Sequence, residues 1–365
     1  MARPRGGDTQ DYTNMKRNYE MAQLRRPPNR LTAAEYDLYK LADLSWEEKS
    51  RFLGANAMTA VSSNNDPQSQ ALAKDKLITY GILRLHGFPF PDIKAVIHPA
   101  RGFPGAVSLR TVTEVAAYLE TRAVFPLFMK PIAGNAGAGS VWVDAYADGL
   151  LRLRNGTTLP VDAYIERWLC REGILLQAVA RPHPEIARRC GPRLATARVV
   201  VLMTENGPIV HRAVLRIPAG ANMIDNFRHG ASGNLLGAVE IGSGVVSKAI
   251  GLNLASNRLE PVAAHPDTGQ QIVGCVLPEW EKAKQMCIRA APLFPGIRYQ
   301  SWDIAFTEEG PQTIEVNSGG DVDVLQLASG QGIADATWWK LLREPAPRTI
   351  LHRWFARSGP WSRGG

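Results

Sequence analysis

Two short apolar segments, Trp302-Asp303-Ile304-Ala305-Phe306 and Thr313-Ile314-Glu315-Val316-Asn317, flank a turn containing Glu309 and Gly310, and they constrain this chain more than any other feature. Two such strands joined by a Gly-containing turn make a hairpin. Strand side chains alternate, so Glu315 and Asn317 share one face while Ile314 and Val316 point the other way, into a core. With the turn centred near Glu309, Asp303 lies roughly opposite Glu315 and joins that face if the register permits. The result is two carboxylates and an amide on neighbouring strands, all hard oxygen donors. Mg²⁺ takes about six oxygens, usually one or two carboxylates with water and nucleotide phosphate supplying the rest. An exposed hairpin facing water is the competing reading, but Glu315 and Asn317 interrupt an otherwise apolar strand.

The 365 residues suffice for two or three lobes around a sizeable core, and 45% hydrophobic with 21% charged residues is ordinary for a soluble globular chain. The net charge of +8 is concentrated in basic ends, which read as solvated tails. A nucleic-acid surface would interleave its cations with aromatics or align them on one helix, so no nucleic-acid partner is expected. The start of the chain is charged and lacks an apolar stretch, so it does not resemble a secretory signal. No run of about 18 apolar residues suggests a membrane span. Cys170, Cys190, Cys275 and Cys287 show no metal-ligand or disulfide spacing and read as core thiols in a reducing cytoplasm.

Periodicity predicts helix from Leu31 to about Ala60, with caps at Thr32 and Ser45, then a second helix from Ser69 to His86 ended by Gly87. Ile93–Ile97 reads as a short strand and Ser108–Thr121 as a capped helix. Strands and turns dominate afterwards: Phe125–Lys130, Ser140–Val143, Leu175–Val179, and the pair 197–203 and 209–216 about an Asn-Gly turn. Trp280–Leu293 is helical before the last hairpin. The expected class is α+β with much antiparallel sheet.

Three further features carry chemistry. The stretch Lys130-Pro131-Ile132-Ala133-Gly134-Asn135-Ala136-Gly137-Ala138-Gly139-Ser140 lets backbone N–H groups approach phosphate oxygens, with Lys130 as a cation at its base. It is neither a Walker loop nor a Rossmann fingerprint, since Gly-Lys-Ser/Thr is missing and a strand follows. Arg198 and Arg216 stand among apolar strand neighbours, where a buried guanidinium needs an anion: a phosphate, a substrate carboxylate, or a local Asp or Glu. The loop from Asn222 through Asp225, Arg228 and His229 to Asn234 is the candidate acceptor-substrate region, because loops on a rigid scaffold carry specificity. Asp75-Lys76 on a helix carries no weight alone.

The order of these parts resembles the ATP-grasp superfamily: an Asp-Lys helix, a strand ending in Lys before a small-residue loop, arginine-bearing strands, and an Asp then Glu-x-Asn hairpin. The likeness covers roughly residues 70–335. Lys130-Pro-Ile-Ala-Gly-Asn-Ala-Gly, Thr196-Ala-Arg198-Val-Val, Trp302-Asp303-Ile-Ala and Ile314-Glu315-Val-Asn317-Ser-Gly-Gly-Asp321 are most similar to the sugar-transfer-associated ATP-grasp group. That resemblance implies two α+β lobes clasping ATP. Lys76, Lys130 and the Gly134-Asn135-Ala136-Gly137 flap would touch the nucleotide, Gln177-Ala178-Val179 would offer backbone groups to adenine, and Asp303, Glu315 and Asn317 would hold Mg²⁺. The usual hinge carboxylate is missing; Glu185 is the nearest following one for the ribose.

The implied organisation is a basic and helical extension (1–69), an amino-terminal lobe (70–125), a small lobe with the flap (126–178), a large lobe with the metal hairpin (179–345) and a basic tail (346–365). The implied reaction activates a small-molecule carboxylate as an acyl phosphate for attack by an amine or hydroxyl, with Arg198 and Arg216 as catalytic cations. Polysaccharide or secondary-metabolite biosynthesis is the implied setting. A phosphotransferase acting on a hydroxyl and a non-catalytic nucleotide-binding module are the other readings.

Overall fold

The computed structural model describes residues 7–343 apart from 64, 135, 136, 170, 221 and 223, so the tail at 346–365 lies outside the described residues. The chain begins with short helices: α1 (Gly7–Leu24), α2 (Ala33–Leu38), a 3₁₀ turn (Leu41–Asp43), α3 (Trp46–Lys49) and α4 (Ala55–Ser63). The stretch expected to be helical from Leu31 to about Ala60 is therefore a series of short helices. Thr32 with Glu35, and Ser45 with Glu48, each close a capping box that starts a new helix, and Lys40 turns left-handed (φ 55°, ψ 41°) between them. Under these helices, Glu20 accepts hydrogen bonds from Tyr36 Oη at 2.5 Å and Lys49 Nζ at 2.8 Å, all three residues being buried.

The helix expected over Ser69–His86 is two, α5 (Pro67–Lys74) and α6 (Lys76–Leu85). Asp75 between them is extended, and its carboxylate caps α6 by accepting from Ile78 N at 3.1 Å. A seven-stranded sheet follows: β1 (Ile93–Ile97), β2 (Val107–Leu109), β3 (Leu127–Pro131), β4 (Val141–Ala147), β5 (Leu150–Leu153), β6 (Thr158–Pro160) and β7 (Ile174–Ala178), in the order β2-β1-β7-β3-β4-β5-β6. Ser108 belongs to β2, so the helix expected at Ser108 starts later, as α7 (Val112–Thr121) capped by Thr111. With α8 (Val161–Leu169), α7 covers one face. Segments 70–125 and 126–178 thus share one sheet.

After α9 (Pro184–Cys190) the second sheet comprises β8 (Thr196–Thr204), β9 (Gly207–Ile217), β10 (Leu235–Val239), β11 (Val246–Asn253), β12 (Arg258–Pro261), β13 (Tyr299–Thr307) and β14 (Gly310–Asn317), ordered β12-β11-β10-β9-β8-β13-β14. Among the named strands only β1 and β2 run parallel. This is the α+β architecture with much antiparallel sheet. On one face α10 (Trp280–Ala290) packs with Trp302, Ile304 and Phe306. On the other lie α11 (Val322–Ser329), α12 (Ala336–Arg343) and the extension. Gln326 on α11 ties the extension down, spending its amide on both Leu53 N (2.9 Å) and Leu53 O (2.8 Å). Cys190, Cys275 and Cys287 are buried thiols. Among the described residues no helix is long and apolar enough to cross a membrane.

Candidate active site

Strand register assembles the site. Arg198 on β8 lies opposite Asp303 on β13, which lies opposite Glu315 on β14. One step along, Thr196 faces Arg216 on β9, and Ser301 faces Asn317. Alternation then collects Thr196, Arg198, Arg216, Asp303, Glu315 and Asn317 on one face of the sheet. That face floors a cleft of about 1040 Å³, bounded by the flap, the loop after β9, the start of α11 and the extension.

The arginines meet carboxylates within the chain. Arg198 Nε and Nη2 donate to the two oxygens of Asp303 at 3.0 and 3.1 Å, and Arg216 Nη2 reaches Asp303 Oδ2 at 3.0 Å. Burial pushes the Asp303 carboxyl up, but Arg198 and then Arg216 outweigh it and hold the group below its ordinary range. Burial likewise opposes the Arg198 charge, and Asp303 more than offsets that. Arg216 Nη2 also donates to Thr196 Oγ1 at 2.6 Å and lies 3.5 Å from Asp225 Oδ1. Asp225, expected to touch substrate, is buried and accepts from the Thr196 hydroxyl and from Thr196 N, at 3.2 Å for the latter, so it braces Arg216.

Two lysines approach from the other lobe. Lys76, in the first turn of α6, donates to Gly134 O at 3.0 Å and lies 3.2 Å from Glu315 Oε1. It therefore links helix, flap and hairpin. Lys130, next to last in β3, is buried and donates to Tyr80 Oη at 2.8 Å; Tyr80 in turn donates to Ile314 O at 2.6 Å. Burial lowers the Lys130 pKa to about 8, against the opposing pull of Glu315 and Asp303. The flap between β3 and β4 seats on its surroundings through glycine: at Gly137 (φ 69°) a Cβ would press on Ile224, and at Gly139 (φ 75°) on the Trp168 ring. Asn135 and Ala136 lie outside the described residues.

Several expected contacts are elsewhere. Gln177 is buried with Nε2 on Pro91 O (2.9 Å), and Ala178 N is taken by Asp92 O (2.9 Å). Ala178 and Val179 border a separate 270 Å³ pocket beside Arg181 and the β13–β14 turn. Glu185 is exposed on α9, paired with Arg188 at 2.7 Å, and does not line the cleft. Asn222 spends its amide within its own loop, on Ala219 O (2.8 Å) and Ser232 O (2.6 Å). Arg228 and His229 do line the cleft, and His229 Nε2 lies 2.7 Å from Asp323 Oδ2. Both have left-handed backbones (φ 48° and 52°), a sparsely populated conformation that costs about 1–3 kcal/mol and collects at functional sites. Sequence reasoning did not single out Tyr80, Thr196 or Asp323. The signal for Asp323 was the Gly-Gly-Asp-Val-Asp run heading a helix.

The donors present suit Mg²⁺ in part. Glu315, with its side chain 24% exposed, and Asn317 offer oxygens to the cleft, whereas both oxygens of Asp303 already accept guanidinium N–H groups. Among the described residues no three His, Cys, Asp or Glu side chains form a cage. A sparse donor set completed by phosphate and water is a pattern Mg²⁺ accepts.

The family described as sugar-transfer associated ATP-grasp matches the chain over residues 57–338. A comparison with curated proteins returns no match. Among solved structures, the chain is similar to N5-carboxyaminoimidazole synthase from Aspergillus clavatus (12% identity, 81% of this chain and 59% of that one, TM-score 0.40). It is also similar to L-amino acid ligase from Bacillus licheniformis (14% identity, 75% and 49%, TM-score 0.41) and biotin carboxylase from Campylobacter jejuni (10% identity, 83% and 54%, TM-score 0.46). The chain thus spans between 49% and 59% of the length of these proteins. Likenesses this distant say nothing about substrate.

Proposed function

The chain belongs to the sugar-transfer-associated ATP-grasp family, and from that premise we propose that it is an ATP- and Mg²⁺-dependent ligase joining a carboxylate to an amine through an acyl phosphate. The observation that carries this reading is the pair of buried guanidiniums locked on Asp303, at the floor of a cleft that Lys76 and Gly134 enter from the other lobe. Phosphoryl transfer needs positioning and charge stabilisation more than a covalent nucleophile.

In the proposed first step, a substrate carboxylate oxygen attacks the γ-phosphorus, and ADP leaves with the electron pair of the broken P–O bond. Lys76, Lys130 and the flap N–H groups bind the nucleotide phosphates, while Arg198 and Arg216 steady the acyl phosphate. Glu315 and Asn317, with Asp303 behind them, would hold the metal; Mg²⁺ there supplies neutralisation of phosphate charge. In the second step the amine lone pair forms the C–N bond, the acyl C–O bond breaks, and phosphate departs with its electron pair. His229 fits the role of proton acceptor: the tautomer that donates from Nε2 to Asp323 leaves Nδ1 free to take one proton from the acceptor's ammonium form and so expose the lone pair, and phosphate carries off the second as the amide forms.

Hydroxylamine trapping tests the reading, because that small nucleophile intercepts an acyl phosphate. Purified protein with Mg-ATP, hydroxylamine and a broad carboxylic-acid panel should yield ADP and a hydroxamate together. No acid-dependent ADP across the panel would sink it, and a phosphorylated alcohol in place of hydroxamate would favour transfer to a hydroxyl.

A further inference from the structure

The cleft continues past Arg198 to a wall that precedes the family match. Ala34, Leu38, Tyr39 and Ala55 of the extension line it, facing Asp321 and Asp323 at the head of α11. Charge divides the cleft accordingly. At the phosphate end Lys76, Lys130, Arg198 and Arg216 stand against Asp225, Asp303 and Glu315, whereas the far end carries Asp321, Asp323 and Glu35 with Arg228 and His229 beside them. The two halves touch where Arg198 Nη1 comes within 3.9 Å of Asp321 Oδ2, so a group bound by the acids adjoins the anion bound by the arginines.

The acids are not equally committed. Glu35 spends both oxygens on the extension, accepting from Thr32 N and Ala55 N at 2.7 Å each. Asp323 accepts from His229 through one oxygen only, and the Asp321 side chain is 78% exposed. Beside them is Tyr39, a cleft residue only 7% exposed whose hydroxyl has no hydrogen-bond partner among the described residues. The nearest polar side chain is Gln326, whose amide already holds both Leu53 N and Leu53 O. Burial, then the charges of Asp323 and Glu35, raise the Tyr39 pKa and keep the phenol protonated. A buried hydroxyl without a partner is costly, and a ligand that meets it restores the loss. Leu38, Ala55, Met58 and Val324 supply an apolar lining alongside.

We propose that this far end of the cleft binds the acceptor as a protonated primary amine on an apolar stem: the ammonium against Asp321 and Asp323 with the Tyr39 hydroxyl beside it, the stem along Leu38, Ala55 and Met58. The proposal names the acceptor of the ligase described above and rests on that reading for the reaction, while the binding stands independently. It also gives the extension a function, as the wall that selects the acceptor.

The test is saturation-transfer NMR on the full chain, with MgADP present and hexylamine or 1-hexanol as the probe. The two share a stem and differ in charge. Hexylamine should bind saturably and at least about tenfold more tightly than 1-hexanol, the scale of one charge-assisted hydrogen bond. Asp323→Asn and Asp321→Asn should each weaken hexylamine several-fold, and Tyr39→Phe should weaken it while leaving 1-hexanol less affected. The exposure of Asp321 makes its variant the safeguard if Asp323→Asn folds poorly. Equal binding of the two probes, or hexylamine binding unchanged in both aspartate variants, overturns the proposal. If the ligase reading alone is wrong, hexylamine binds as described while no acid yields ADP or hydroxamate.

Discussion

Arg198 and Asp303 meet as a two-pronged pair across adjacent strands, with Nε and Nη2 each donating to a separate carboxylate oxygen at 3.0 and 3.1 Å. Both residues are buried, and they are 105 positions apart in the chain. The pair aims a cation at the cleft without leaving it free to swing, because a planar guanidinium held twice has little freedom left.

Removing Arg198 leaves Asp303 with Arg216 as its remaining counter-charge. Arg198→Met should therefore lower stability by roughly 1–3 kcal/mol, read from denaturant unfolding. Arg198→Lys keeps the charge but loses the fork, and should reduce ADP release at least about 100-fold with a smaller stability loss. Near wild-type turnover in the lysine variant would show that the fork is dispensable.

If Lys130 binds nucleotide as proposed, binding should be sensitive to alkali. Its folded-state pKa of about 8 lies below the ordinary lysine value of about 10.4. Between those values the unfolded chain binds the proton and the folded chain does not, so this group's contribution to stability rises with pH through the window, and its penalty is complete below about 8. A phosphate needs the charged form, so ATP affinity should fall by up to about tenfold per pH unit above that point. Calorimetric titration across pH 7 to 9.5 checks it, and Lys130→Arg, which stays charged, should flatten the dependence.

Glu315 links Lys76 to the metal question. Glu315→Gln keeps the shape, removes a carboxylate from the cleft and frees Lys76 from its 3.2 Å partner. Half-saturating Mg²⁺ for ADP release should rise at least about tenfold while the unfolding midpoint moves little, since the group is partly exposed and its pairing is worth about 1 kcal/mol or less. An unchanged Mg²⁺ requirement would remove Glu315 from the metal site.

The extension has its own buried ion pair, Glu20 with Lys49 at 2.8 Å. Glu20→Gln leaves the Lys49 ammonium buried without its counter-charge and should cost roughly 3 kcal/mol or more. Hydrogen exchange should then report the loss in α1–α4 before the sheets. Uniform loss across the chain would mean the extension and the sheets unfold as one unit.

Much of this architecture could be read from local pattern. Alternation alone put Glu315 and Asn317 on one face, and the turn position brought Asp303 opposite, because the side-chain period of a strand is short and unforgiving. Thr32 and Ser45 announced their helix starts through Glu35 and Glu48. Neighbourhood across the sheet was another matter. Nothing near Arg198 indicated that β8 would lie beside β13, so the identity of its anionic partner stayed open until the strand order was known. Asn222 and Asp225 stood out as polar residues in a long loop, and Asp225 does line the cleft. Their hydrogen bonds are spent on bracing the loop and Arg216, which depends on where the chain turns back on itself. Asp75 broke a helix that apolar periodicity alone would have continued, since its carboxylate competes for backbone N–H groups.

The clamp of Gln326 on Leu53 puts the far wall of the cleft under the control of a distant side chain. It fastens a segment outside the shared family region to a helix inside it, at the end of the cleft opposite the lysines. Gln326 itself lies off the cleft, so a substitution there would shift the wall that carries Leu38 and Tyr39 without altering any residue that lines it. The far end of the cleft is thus tunable from a position that touches nothing bound there.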